Sequence, residues 1–195
     1  MMIRKCLIYG GLLLIAASLC LTGYYKWTEK RASENAKRVM GKMEEIYSQS
    51  DDREVSEELP EPESRMATME IEGEEYIGMI TIPSFQISLP VMSDWSYEKL
   101  KTAPCRYSGS AYADNMIIAA HNYPAHFGSL KDLNAGDEVT FLDADGNEFV
   151  YTVSETEELR SNAVEEMEEG DWDLTLFTCT LGGRKRVTVR CIRTG

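Results

Sequence analysis

Histidine is nearly absent from this chain: only His121 and His126 occur among 195 residues. Neither stands beside a cysteine or carboxylate cluster at ligand spacing, so the pattern of a zinc centre is missing, no metal is expected and no cofactor is implied. Positive charge is short as well. Lys and Arg number 20 against 33 Asp and Glu, a net charge of −13, which argues against nucleic acid as a partner because phosphate binding wants a basic face. There is one long apolar run, near the N-terminus, and no second one near the C-terminus. Cysteine is sparse, and only Cys105, Cys179 and Cys191 lie beyond that run. An odd number in an exported domain points to a free reactive thiol. Cys105 and Cys191 read either as a pair or as small buried hydrophobes, and no bridge is expected.

What is present begins with the apolar run over residues 6–25. Its length is about that of a bilayer-spanning helix. Arg4 and Lys5 precede it, and Tyr24, Tyr25 and Trp27 close it where aromatic rings favour the membrane interface. The run continues past Ala16-Ala17-Ser18, so residues 1–27 read as an uncleaved anchor rather than a signal peptide. Beyond it, Ala32, Ala36, Val39, Met40, Met43 and Ile46 recur at helical spacing, which predicts a helical stalk. Residues 48–75 are rich in Glu, Asp, Ser and Pro and read as an acidic disordered linker. Stalk and linker together span 28–75. A strict positive-inside count over Lys26, Lys30, Arg31, Lys37, Arg38 and Lys42 puts the C-terminal side in the cytoplasm; the very short N-terminal tail favours the opposite orientation.

Residues 76–195 form the folded domain, and 43% hydrophobic residues overall allow a real core. Segments 76–82, 86–91, 116–120, 138–142, 148–153, 174–179 and 187–192 read as strands bounded by turn residues, with short helices near 97–101 and 129–133. Many short strands and few helices predict an all-β closed barrel or sandwich. Residues 143–147 have a spacing faintly like a calcium loop without its remaining ligands, and read as a hairpin turn. Gly182-Gly183 between two β-prone runs predicts a tight hairpin. Residues whose numbers sum to 365 then face each other, which sets Cys179 opposite Arg186 with Cβ atoms roughly 4.5–5.5 Å apart. A guanidinium beside a thiol favours the thiolate and offers a donor where charge develops in acyl transfer. Arg184 lies on the same face and is the alternative donor; Arg190 shares the face further from the turn, where a structural role is expected. Taken alone, the hairpin describes no more than a half-buried cysteine beside a surface arginine.

The wider pattern is more specific. Thr175-Leu176-Phe177-Thr178-Cys179 resembles the T-L-x-T-C motif of the sortases, membrane-anchored cysteine transpeptidases of Gram-positive bacteria. Asn115 to Asn122 resembles the family's strand that ends in a histidine, here His121. The stretch from Tyr76 to Pro83, with Leu89-Pro90-Val91, resembles its opening strand pair. Phe127-Gly128-Ser129-Leu130 with Leu133-Asn134-Ala135-Gly136-Asp137 resembles the segment after the histidine. The matches fall in family order across about residues 76–193.

The resemblance implies a closed eight-stranded β-barrel with short helices, preceded by the membrane helix and stalk. It implies Cys179 as nucleophile, His121 as general acid/base and Arg186 (with Arg184 as runner-up) as the oxyanion and substrate stabiliser. Ala120, Thr178 and Val164 are expected to bind substrate, with residues 159–173 shaping the signal groove. The implied reaction is cleavage of an LPxTG-like sorting signal on a surface protein, through a thioester, with transfer to a cell-wall precursor amine or a pilin lysine. The implied location is the cell membrane, with the catalytic domain outside. The subclass expected is a housekeeping-like or class D-like anchoring enzyme. The alternatives are an exported β-barrel binding module without catalysis and a pilin-polymerising sortase. A papain-like hydrolase would need its cysteine at a helix start, whereas this one ends a strand.

Overall fold

The computed structural model describes residues 2–50 and 60–195. Part of the acidic linker, residues 51–59, lies outside the described residues. The chain opens with one unbroken helix, α1 (Met2–Ser50). Its first part, apolar and exposed on all sides from Ile8 to Trp27, is long and apolar enough to cross a membrane, and an all-round apolar helix belongs in lipid or a core. The character of the helix then changes. Ala32, Ala36, Val39, Met40 and Met43 are buried, five of the six residues of the stripe read from the sequence, while Ile46 is exposed; the stripe lies on the barrel. Val39, Met40 and Met43 pack with Met69, Ile71, Tyr76 and Met92, and the Tyr47 hydroxyl donates to the Asp143 carbonyl at 2.8 Å. Arg38 and Lys42 pair with Glu72 at 2.9 and 2.7 Å. The stalk is thus a packed part of the domain.

The strands are β1 (Met69–Ile71), β2 (Glu74–Ile82), β3 (Ile87–Met92), β4 (Cys105–Ser108), β5 (Met116–Ala119), β6 (Glu138–Asp143), β7 (Glu148–Arg160), β8 (Leu174–Cys179) and β9 (Lys185–Arg193), with α2 (Val164–Glu168) between β7 and β8. The sheet runs β2-β3-β4-β5-β8-β9-β7-β6 and closes through β2–β6 pairing, an eight-stranded barrel with β1 added on β2. Closure depends on Gly78. Its φ is +146°, and an added Cβ would run into the Leu142 carbonyl of the neighbouring strand.

Two differences from the sequence reading concern the boundaries. Ordered structure begins before residue 76, because Met66 is buried in the main core and β1 pairs with β2. Single apolar residues among glutamates hid that segment. Strand β7 also runs on to Arg160, pairing with β9 past a bulge at Val153/Glu155. Its carboxylate-rich half carries no period-two signal because its outer positions face solvent. The short helices are 3₁₀ turns at Lys99–Lys101 and Leu130–Asp132. The 143–147 hairpin is held by Asp143 itself, whose carboxylate accepts from the backbone N–H groups of Asp145 and Asn147 and from the Tyr112 hydroxyl.

Strands β5 and β8 are parallel neighbours and are buried on both faces, as parallel pairs usually are. Met116, Ile118, Leu174 and Leu176 fill the barrel. Ile117, Ala119 and Phe177 face outward into a second small cluster with Met167 of α2 and the partly buried Leu100, Tyr107 and Leu159. This outer face leads to the candidate site.

Candidate active site at the strand ends

Three strand ends converge on one rim of the barrel. The β8–β9 ladder sets Cys179 directly opposite Arg186, so the register expected from the sequence holds. The turn that closes it is different. Thr180 and Lys185 still pair, with the Thr180 N–H donating to the Lys185 carbonyl at 2.9 Å, and Gly183 N–H donates to the Thr180 carbonyl at 2.8 Å. The loop is therefore 181–184 rather than the two glycines alone. Gly182 and Gly183 both have positive φ, +90° and +69°, which is why glycine stands there.

The third side chain comes from β5. Ala119 lies beside Phe177 in parallel register, and His121 and Cys179 each follow two residues further along, at the same rim. Two bonds hold that level. Ala120 N–H donates to the Phe177 carbonyl at 3.1 Å, and the Thr178 hydroxyl donates to the Ala120 carbonyl at 2.8 Å. Thr178 and Ala120 are both buried, and these two bonds, the Thr178 hydroxyl and the Ala120 backbone, lock the strand ends together. Val164, at the start of α2, is 40% exposed.

Cys179 is exposed, whereas Cys105 and Cys191 are free and buried. Burial pushes both of those thiols up to about 12, which leaves them inert near neutral pH. The Arg186 guanidinium lies 5.1 Å from the centre of the Phe177 ring, a cation–π contact that fixes its plane. Its Nη1 is buried and has no hydrogen-bond partner. A buried charged donor left unsatisfied is costly, so this nitrogen is poised to take an acceptor. Arg184 is exposed in the hairpin loop, and its carbonyl accepts the Ser161 N–H at 3.2 Å. Lys185 pairs with Glu158 at 2.7 Å.

The two histidines are sorted by the same loop. His121 sits half-buried at the rim, its ring centre 5.0 Å from that of Tyr123. Burial, and then the Lys101 ammonium, lower its pKa below the ordinary histidine value, which favours the neutral imidazole. His126 is 1% exposed, with both ring nitrogens unpartnered. Burial, and then His121, depress it to about 4, so it is a neutral core residue. Phe127 N–H donates to the His121 carbonyl at 3.3 Å, and His126 and Gly128 N–H groups donate to the Tyr123 carbonyl at 2.8 and 2.9 Å, pinning the loop between them.

Arg190 was placed on the same face by the sequence, and the structure shows what it does. Its guanidinium donates to Glu157 at 2.9 Å, to the Met167 carbonyl at 2.8 Å, to Thr175 Oγ1 at 3.1 Å and to the Glu166 carbonyl at 2.6 Å. It moors α2 to the barrel. The sequence reading missed α2 as an element, since four glutamates in and around one turn give no amphipathic pattern; Met167 is its one buried residue.

Comparison with known proteins bears on the fold and the family. The sortase-domain family model matches residues 80–194. The chain is 27% identical over 158 residues to Sortase A of Bacillus anthracis, covering 77% of this chain and 74% of that protein. The crystal structure of sortase C from Clostridium perfringens superposes with a TM-score of 0.55 at 26% identity, over 62% of this chain and 70% of that one. Sortase C of Streptococcus pneumoniae shares the fold, with a TM-score of 0.62 at 22% identity over 81% and 97% of the two chains. Fold and family together make this protein a cysteine transpeptidase. It belongs to the sortase family.

Proposed function

We propose that this sortase-family transpeptidase acts on surface proteins through Cys179, His121 and Arg186, cleaving an LPxTG-like signal and passing the new acyl group to an amine. The observation that supports the reading is their shared rim: one ladder pairs Cys179 with Arg186, and the adjoining parallel pair ends at Ala119 and Phe177, two residues before His121 and Cys179. The resting imidazole is neutral by its environment, so the imidazolium forms by taking the Cys179 proton. The thiolate sulfur attacks the scissile carbonyl, and the oxyanion that develops meets the free Nη1 of Arg186. Collapse breaks the C–N bond, and His121 gives its proton to the departing amine. A thioester remains. An incoming amine loses a proton to His121, displaces the sulfur and leaves a new amide and the free thiol. The acceptor is a cell-wall precursor amine or a pilin lysine. Val164 and α2 form a wall for the signal, while Thr178 and Ala120 serve as the scaffold under it.

The first part of α1 anchors the protein in the cell membrane, with the catalytic domain outside. The full chain in detergent is incubated with a panel of LPxTG-like peptides, with and without an amine acceptor. Amide product formed with the wild type and lost in Cys179→Ala supports the reading. Peptide binding without cleavage would leave a binding module, and cleavage retained by Cys179→Ala would remove the nucleophile. Protease added to intact cells should digest the domain; protection until lysis would reverse the orientation.

A further inference from the structure

Helix α1 has no break between its membrane-length part and the part packed on the barrel. The position of the anchor therefore dictates where the barrel stands. Aromatic residues at the end of an apolar span mark the membrane interface, and here these are Tyr24, Tyr25 and Trp27. Tyr24 and Trp27 line a cavity of about 560 Å³ together with Lys101 and Thr102 of the barrel. Tyr24, Tyr25 and Glu29 lie near enough to Tyr123 to act on its phenol, and Lys101 acts on His121. The interfacial belt is thus level with the loops around His121.

Topology places more of the surface at that level. Met92, the end of β3, pairs with Cys105, which faces Ala119 at the end of β5. The chain after Met92 therefore emerges on the rim that holds His121 and Cys179. This loop carries Trp95, 38% exposed, and Tyr97, 75% exposed, in edge contact with ring centres 5.6 Å apart. The hairpin beyond Cys179 carries Leu181, 94% exposed, at its tip. These are three of the five large hydrophobic side chains exposed outside α1 among the described residues, so apolar exposure is concentrated on this rim. On the hairpin side the charge suits an anionic surface: residues 174–195 contain no acidic side chain, and Arg184 is exposed beside Leu181; on the loop side Asp94 and Glu98 are each paired, with Lys99 and Lys101.

We propose that the barrel rim bearing Cys179 and His121 docks on the phospholipid surface, with Trp95, Tyr97 and Leu181 seated among the headgroups. The inference rests on reading α1 as a membrane-spanning anchor. It adds that the active site opens at the bilayer surface rather than at the end of a free stalk.

The three tryptophans of the chain test this directly, because they occupy three levels. Trp27 belongs to the belt and Trp95 to the rim. Trp172 precedes Leu174 at the start of β8, about 17–20 Å of strand away from Cys179. Full-length chains keeping one tryptophan, with the other two changed to Phe, are reconstituted in phosphatidylcholine–phosphatidylglycerol vesicles with lipid brominated near the top of the acyl chains. The proposal expects Trp27 and Trp95 to lose emission and Trp172 to keep it. In the Trp95-only chain, Tyr97→Asp with Leu181→Asp should restore emission. Quenching of Trp27 without Trp95 would overturn the docked rim and leave the anchor standing. Loss of quenching at Trp27 as well would remove the anchor and the proposal together. Trp95 emission that ignores lipid but shifts on adding an LPxTG-like peptide would assign the patch to the peptide groove instead.

Discussion

Arg186 and Arg190 stand four residues apart on β9, on the same outer face of the barrel, and their surroundings are opposite. Arg190 is buried and spends its donors on Glu157, Thr175 and two carbonyls of the α2 segment. Arg186 stacks on Phe177, stands opposite an exposed thiol and keeps one buried nitrogen without a partner. The face they share is closed by α2 at one end and open at the other. The difference shows how one surface serves two purposes. A satisfied guanidinium holds structure in place, and an unsatisfied one is held ready for an acceptor that arrives from outside.

The sharpest way to break this contrast is to remove the open arginine. Arg186→Ala should lower kcat/KM on a signal peptide by on the order of 10²–10³, the usual cost of one oxyanion donor, with the thermal midpoint little changed. Arg186→Lys should recover little, because only the planar fork reaches a carbonyl and an oxyanion together. Full activity in either variant would move the role elsewhere on the rim. The complementary change is Arg190→Ala, which leaves Glu157 and two carbonyls without a partner. Denaturant unfolding should show a loss of about 3 kcal/mol, and KM should rise as α2 comes loose. A stable variant with normal KM would mean that α2 is moored by something else.

The histidines repeat the contrast, and pH separates them. His126 has a folded pKa of about 4 against an ordinary 6.5, so the unfolded chain binds the extra proton between those values. Its contribution is present above about pH 6.5 and is lost as pH falls toward 4, on the order of 2–3 kcal/mol. Unfolding measured from pH 7 to 4 should show this slope, and His126→Leu should flatten it while keeping turnover. A slope unchanged in that variant would place the acid sensitivity in other groups. The smallest effect is expected at Arg184, whose side chain is exposed beyond the pairing position. Arg184→Ala should change stability by no more than about 0.5 kcal/mol and leave the rate near that of the wild type. Arg184 essential and Arg186 dispensable would mean that the paired register does not govern the chemistry.

The stalk teaches a related point about boundaries. Residues 28–47 carry a helical apolar stripe that reads from the sequence as a stalk continuing the anchor. The partners that make it a packed helix, Met69, Ile71, Tyr76 and Met92, are scattered over β1, β2 and β3. A chain cut near residue 70 would lose Met66 and expose this cluster, so it should be less stable than one that keeps α1.

Local pattern alone was enough for much of the molecule. The apolar run, most of the strands, and the pairing of Cys179 with Arg186 follow from side-chain period and from two glycines that need positive φ. These are short-range matters, and neighbouring residues carry them. What the sequence by itself could not express is anything that depends on a distant partner. The mooring of α2 by Arg190, the full burial of His126 against the half-burial of His121, the continuation of β7 through a carboxylate-rich stretch, and the unpaired nitrogen of Arg186 were decided by tertiary structure. The physical reason is that burial and hydrogen-bond satisfaction belong to the whole environment of a group. Identical guanidinium groups four residues apart acquire different chemistry only when the fold covers one and leaves the other open.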